Sequence, residues 1–165
     1  MPAFVNLNRM VMLGAAWTGT VAPGVGGSTA VTNTGTITTP QDISAFVKSG
    51  NPSVSVATQD VTTFGSGGFT QVIPGLRTGD TITFECVSDF AAATLYPIVQ
   101  TTLGGLGAGV FLDIKATNSS RGATNPSFAA FGFITNWTPA GGSVGDAAMA
   151  TLTITISGRF ADITG

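Results

Sequence analysis

The sequence predicts a mostly β protein, and three observations carry that reading. Glycine and threonine are abundant, 23 and 26 of 165 residues, a composition that favours strands joined by tight turns over helices. Several segments alternate apolar and polar residues over six or more positions. One segment alone, at about residues 89–103, carries a helix signal. The length fits one domain and is enough to bury a core without disulfides or metal.

Taken in order, Met1 to Ala22 lacks the charged start and cleavable end of a secretory signal, since Pro2, Asn6 and Asn8 interrupt it and Trp17 and Thr18 fall where cleavage would occur. Residues 19–40 are uncharged Gly, Thr, Ala, Val, Ser, Asn, Ile and Pro, which predicts an N-terminal arm or loosely ordered hairpin over 1–40 ahead of a β-domain over 41–165. Asp42 to Val47 and Val54 to Ala57 read as a strand pair around Ser49-Gly50-Asn51-Pro52. Asp60 to Phe69, with Gly65, Gly67 and Gly68, reads as a loop. Phe69 to Leu76 and Gly79 to Val87 read as strands joined around Pro74 to Gly79.

In the second of these, Ile82, Phe84 and Cys86 share one face and Thr81, Thr83 and Glu85 the other. Ser88 or Asp89 is placed to cap the helix, Pro97 to kink or restart it, and Gly104-Gly105 to end it. Strands follow at Gly109 to Ala116, Ser127 to Trp137 and Ala147 to Phe160. In the last, Leu152, Ile154 and Ile156 oppose Thr151, Thr153 and Thr155. In Ser127 to Trp137, alternation puts Ala130 and Ile134 on one face and Phe131, Phe133 and Trp137 on the other, so both faces require cover, from the helix or from another subunit.

Charge and side-chain inventory narrow the function. With six Lys+Arg, eight Asp+Glu, no histidine and only Cys86, the chain lacks the ligands and bases of zinc, haem or His-based catalytic sites, and no cofactor is expected. Arg9, Lys48, Arg77, Lys115, Arg121 and Arg159 are scattered, so no basic run grips phosphates. No window approaches the ~18 apolar residues of a membrane span. Asp80, Glu85 and Asp89 are close in sequence, yet a strand face and a helix start do not place carboxylates in one glycosidase pocket. No enzymatic activity is expected. So few charges suit either a Thr/Ser/Gly-coated monomer or a surface covered by neighbours.

Five short words in order add a resemblance: Asp60-Val61-Thr62-Thr63-Phe64-Gly65, Ile73-Pro74-Gly75-Leu76 with Gly79, Asp89-Phe90-Ala91 leading to Leu95-Tyr96-Pro97, Thr124-Asn125-Pro126 with Phe128, and Pro139 through Gly142-Ser143-Val144-Gly145-Asp146. With them the chain resembles, over most of residues 41–158, the tail tube (major tail) proteins of long non-contractile-tailed bacteriophages. Residues 19–40 and the low charge depart from that pattern. The resemblance implies two packed antiparallel sheets plus one helix, and six copies closing into a ring whose strands form a continuous barrel. Stacked rings then make a hollow conduit for DNA ejection. It implies as partners copies of this chain, other tail proteins at the tube ends, and DNA as non-specific cargo. It also implies assembly in the host cytoplasm and a final place in the virion tail, with no membrane insertion by this chain.

The residues fit that picture in two ways. A small barrel is filled by its own side chains, so a DNA-wide lumen requires strands pooled from several copies. A conduit must also avoid trapping phosphates, which favours a neutral or mildly acidic lining. Thr81, Thr83, Glu85, Thr151, Thr153 and Thr155 are the lumen candidates. Asp60, Thr62, Thr63, Phe64, Gly65 and Phe69 are candidates for contact between stacked rings, and Phe131, Phe133 and Trp137 for contact between subunits. The competing reading is a β-sandwich binding module, such as a capsid decoration protein, adhesin or lectin-like domain, with Trp17 and Trp137 as its anchors.

Overall fold

The computed structural model describes residues 9–18, 36–50, 54–63, 65, 67–79, 81–88, 95–117, 125, 127–141, 148–157 and 161–163. Its strands, in chain order, are β1 (Met10–Gly14), β2 (Ala16–Thr18), β3 (Thr36–Thr38), β4 (Gln41–Asp42), β5 (Val47–Ser49), β6 (Val54–Asp60), β7 (Val72–Gly79), β8 (Thr81–Val87), β9 (Gly109–Lys115), β10 (Ser127–Gly141), β11 (Met149–Ile156) and β12 (Ala161–Ile163). Between β8 and β9 lie one helical turn, α1 (Leu95–Pro97), and a five-residue π turn, Ile98–Thr102.

Period-2 alternation dictates how these strands assemble. Each strongly alternating segment buries one set of side chains and must pair along both edges to satisfy its backbone. The result is one antiparallel sheet in the order β4-β1-β9-β10-β11-β8-β5, with β12 on the start of β10. The mostly β, sandwich- or barrel-like class is therefore the one adopted, its layers made by a single sheet that curls around its own apolar face. Val11, Leu13, Ile82, Phe84, Leu112, Ile134, Leu152 and Ile154 form the core on that face. Leu95, Val99 and Leu103 of the helical segment close over it. Cys86 is part of this core, where burial pushes its thiol up to about 12.

The helix expected at about 89–103 is described from residue 95 onward; 89–94 lie outside the described residues. Pro97 has φ −62° and occupies the cap position of the π turn, where its missing N–H costs nothing. Gly104 and Gly105, at φ 90° and 73°, end the segment as expected. At the β9–β10 connection the Asn125 side chain accepts the Thr117 N–H at 3.1 Å and donates to its carbonyl at 3.4 Å.

Two expected hairpins are corrected. Residues 42–47 and 54–57 do not pair: β5 joins the edge of β8, whereas β6 pairs with β7. Residues 69–76 and 79–87 do not pair either, because Pro74 to Gly79 is strand rather than turn, and β8 pairs with β11 and β5. Pro74 opposite Thr58 is tolerated because among the described residues the β6–β7 sheet has two strands, which leaves its missing donor on an edge.

Within the first forty residues, β1 is a strand of the main sheet with Val11 and Leu13 in the core, and β2 pairs with β3. Residues 1–8 and 19–35 lie outside the described residues, and the division at residue 40 stays a proposal.

Candidate interaction surfaces

The main sheet has an outer face opposite the core, and β8 and β11 put hydroxyls on it. Their register pairs Thr81 with Thr155, Thr83 with Thr153 and Glu85 with Thr151. The six lumen candidates are thus three directly opposed pairs on one surface. Thr81 Oγ1 lies 3.3 Å from Thr155 Oγ1, and Thr83 Oγ1 lies 3.4 Å from Thr153 Oγ1. The Ser49 hydroxyl donates to Glu85 Oε2 at 3.0 Å, so the one carboxylate of the group is held at the β5 edge. Thr135 joins the patch, its hydroxyl 2.9 Å from that of Thr155. Alternation along β10 was the signal that could have found it.

Across β10 the same face becomes aromatic. Phe111 and Phe131 are directly opposed, with ring centroids 4.9 Å apart, and Phe133 meets Phe131 edge-on at 5.2 Å. Trp17 of β2 stacks over Phe111 at 5.8 Å. Gly109 lies opposite Phe133, and a Cβ there would come within 2.9 Å of the Phe131 ring. The two phenylalanines therefore cover a glycine gap in the neighbouring strand, and Phe133 remains 43% exposed. The helical segment covers the core face and not this one; the β2–β3 hairpin supplies partial cover instead.

Trp137 does not belong with Phe131 and Phe133. A β-bulge between Ile134 and Asn136 inserts one residue, which turns the side chains from Asn136 to Thr138 to the opposite face. Trp137 consequently pairs with Leu152 in the core and is 6% exposed. Of the two tryptophans named as anchors for a binding module, Trp137 is in the core and Trp17 is partly exposed; both indole N–H groups are buried, without hydrogen-bond partners among the described residues.

The third surface is the β6–β7 hairpin. Asp60 accepts hydrogen bonds from the Thr62 N–H at 2.8 Å and the Thr62 hydroxyl at 2.5 Å, and Thr62 Oγ1 in turn accepts the Gln71 N–H at 2.9 Å. The hydroxyl bond first, then the backbone bond, holds the Asp60 carboxyl below its ordinary range. A further bond from Val61 N–H to the Gln71 carbonyl closes the base of the tip. Thr63, Gly65 and Phe69 are exposed beyond it, Phe69 at 78%. Phe64 lies outside the described residues.

Asp80 and Asp89 also lie outside them, and among the described residues no group of three His, Cys, Asp or Glu is placed to hold a metal. No described helix is long and apolar enough to cross a membrane.

The fold is similar to that of chains in three solved particles. The fold matches a chain of a gene transfer agent virion with TM-score 0.55 and 18% identity, covering 76% of this chain and 89% of that one. A chain from the tail of an empty gene transfer agent particle, refined with C6 symmetry, matches with TM-score 0.56 and 18% identity over 76% and 87%. A chain of the six-fold symmetrised anti-feeding prophage baseplate matches with TM-score 0.57 and 13% identity over 99% and 97%. No protein-family model matches the sequence, and no curated protein matches it.

Proposed function

We propose that this chain is a structural subunit of a phage tail tube of the long non-contractile kind. It self-assembles into stacked, six-membered rings that form a hollow conduit for DNA ejection. The observation that carries the reading is the collection of Thr81, Thr83, Glu85, Thr151, Thr153 and Thr155 into one hydroxyl-rich surface, on a fold similar to that of tail and baseplate chains.

Such a surface wets a lumen without trapping phosphates. The sheet also offers a way to be pooled. On its outer edge β8 pairs with β5 only through Cys86 and Glu85, which leaves Thr81 to Phe84 without a strand on that side among the described residues. An unpaired edge is a template for a strand from another copy. In this reading the hairpin tip at Asp60 to Phe69 meets the next ring, Phe133 with Phe131 borders a subunit contact, and Trp137 serves the core. Other tail proteins close the tube ends, DNA is cargo, and the subunit assembles in the host cytoplasm before it resides in the virion tail.

Negative-stain microscopy and light scattering of the purified protein test the proposal. Rings or tubes are the expected result. A persistent monomer that binds glycans would replace it with the binding-module reading.

A further inference from the structure

A short strap joins the two margins of the main sheet. β4 pairs with β1 at one margin and β5 with β8 at the other, so the chain passes from margin to margin between Asp42 and Val47. The Ile43 N–H donates to the Val11 carbonyl at 3.0 Å, and the Phe46 carbonyl accepts the Val87 N–H at 2.8 Å. The chain from Ile43 to Phe46 reaches at most about 11 Å, so the sheet has curled until β1 and β8 nearly meet. Ile43 is buried, the Ser44 hydroxyl accepts the Val11 N–H at 2.8 Å, and Phe46 packs against the core. The first half of the strap is thereby fixed.

The second half, Val47 to Gly50, is held lightly. β5 has three residues, a register shift between Val47 and Ser49, and an exposed Lys48. Short length, an irregular ladder and a lysine are devices that keep a sheet edge from recruiting another strand. Beyond Ser49 the Gly50 backbone lies against the Phe84 ring, where a Cβ would come within 2.3 Å. Arg9, just ahead of β1, reaches across the seam and donates from Nη1 to the Gly50 carbonyl at 2.9 Å. With the Ser49 hydroxyl on Glu85 at 3.0 Å, these contacts keep the strap over Glu85 and Cys86. The open part of the β8 edge is then Thr81 to Phe84, shorter than an ordinary strand of about five or six residues. Without the strap it would run to Cys86 and accommodate one.

We infer that Val47 to Gly50 is a displaceable guard: latched by Arg9 in the free protomer, it swings off β8 about Phe46 when a strand of another copy pairs along Thr81 to Cys86. The inference rests on the stacked-ring reading and deepens it by giving the protomer a closed state that delays self-assembly.

The lone native thiol supplies a lock. Val47 and Cys86 are directly opposed, and the Val87-to-Phe46 bond beside them makes theirs a non-hydrogen-bonded pair, whose side chains lie closest across an antiparallel ladder. V47C therefore puts a second thiol within disulfide reach of the first, and oxidation closes the strap. Oxidised V47C is expected to keep the near-ultraviolet dichroism of the folded protomer and to form no tubes in negative stain, and reduction is expected to restore them. Oxidised protein that forms normal tubes overturns the guard and leaves ring stacking standing. R9Q and G50A test the opposite direction, since each loosens the strap and a merely structural role would slow assembly. R9Q should shorten the lag before light scattering rises about fivefold, the factor that one net hydrogen bond is worth. G50A, whose Cβ meets the Phe84 ring, should act in the same direction. A lag unchanged or lengthened in R9Q overturns the guard whatever V47C does, and wild type that forms no tubes removes the tube reading itself.

Discussion

The outer face of the main sheet has two halves that obey the same alternation and end differently. Over β9 and the first part of β10 it carries Phe111, Phe131 and Phe133, partly roofed by Trp17. Over β8 and β11 it carries threonines and Glu85. The aromatic half has an internal account: its rings stack on one another and fill the space over Gly109. The threonine half has a lighter one: its two Thr–Thr cross-strand pairs lie at 3.3 and 3.4 Å, at the long end of hydrogen bonding, and only Thr135–Thr155 at 2.9 Å and Ser49–Glu85 at 3.0 Å are shorter. Exposure of an apolar ring therefore has an explanation within the protomer here, and the exposed hydroxyls have less of one.

The largest expected effect lies in the aromatic half. F131A removes a ring that contacts two others, and we expect a loss of about 2 kcal/mol, below the range for a fully buried phenylalanine because Phe131 is half-buried. The shift of the urea midpoint at unchanged m-value measures it. A change near zero would mean that the aromatic half is held for a partner and not for the protomer. Next in size is G109A. Its new Cβ would meet the Phe131 ring at 2.9 Å, so the ring must move, at about 1 kcal/mol. If G109A stabilises the protein, the rings do not use the gap. Combining it with F131A should largely remove its cost, a coupling that a double-mutant cycle reads directly.

How much of this contrast is legible in the sequence depends on the range of the physics involved. Alternation is local, so Thr81, Thr83 and Glu85 on one strand and Thr151, Thr153 and Thr155 on another could each be assigned a face from the chain alone. That the two triplets are opposed pairs is also compatible with their pattern, but strand order is not local. Nearest-neighbour pairing predicts hairpins at 42–57 and 69–87, whereas β8 finds β11 across more than sixty residues and leaves β6 and β7 to each other. Trp137 shows the sharpest limit. One extra residue at the bulge after Ile134 reverses its face, and a bulge whose only mark is the absence of a ladder partner leaves no trace in composition. The hairpin tip lies between these cases: Asp60 and Thr62 announce a side-chain turn, and Gln71 as the third member of the relay becomes apparent only in three dimensions.

Smaller effects belong to the threonine half. The double variant T83V/T153V replaces two hydroxyls on an exposed face with methyl groups of similar shape, and cross-strand pairs of this kind contribute about 0.2–1 kcal/mol. The protomer should unfold within about 0.5 kcal/mol of wild type. A loss well beyond that, in the same urea titration, would make the hydroxyl ladder a structural element and collapse the difference between the two halves.

The smallest expected effect on folding, and the most informative about function, is E85K. Glu85 is exposed and accepts one hydrogen bond, from Ser49, so its replacement leaves the core untouched and the midpoint within about 0.5 kcal/mol. If the threonine half lines a conduit, however, the variant places one cation per subunit where there was one anion, and the rings repeat it along the whole tube. Each phosphate neutralised by such a cation adds salt-sensitive affinity for DNA. Tubes of E85K should then form normally, eject DNA more slowly than wild type, and recover speed as salt is raised. Normal tubes with unchanged ejection at low salt would take Glu85, and the threonine pairs beside it, out of the lumen.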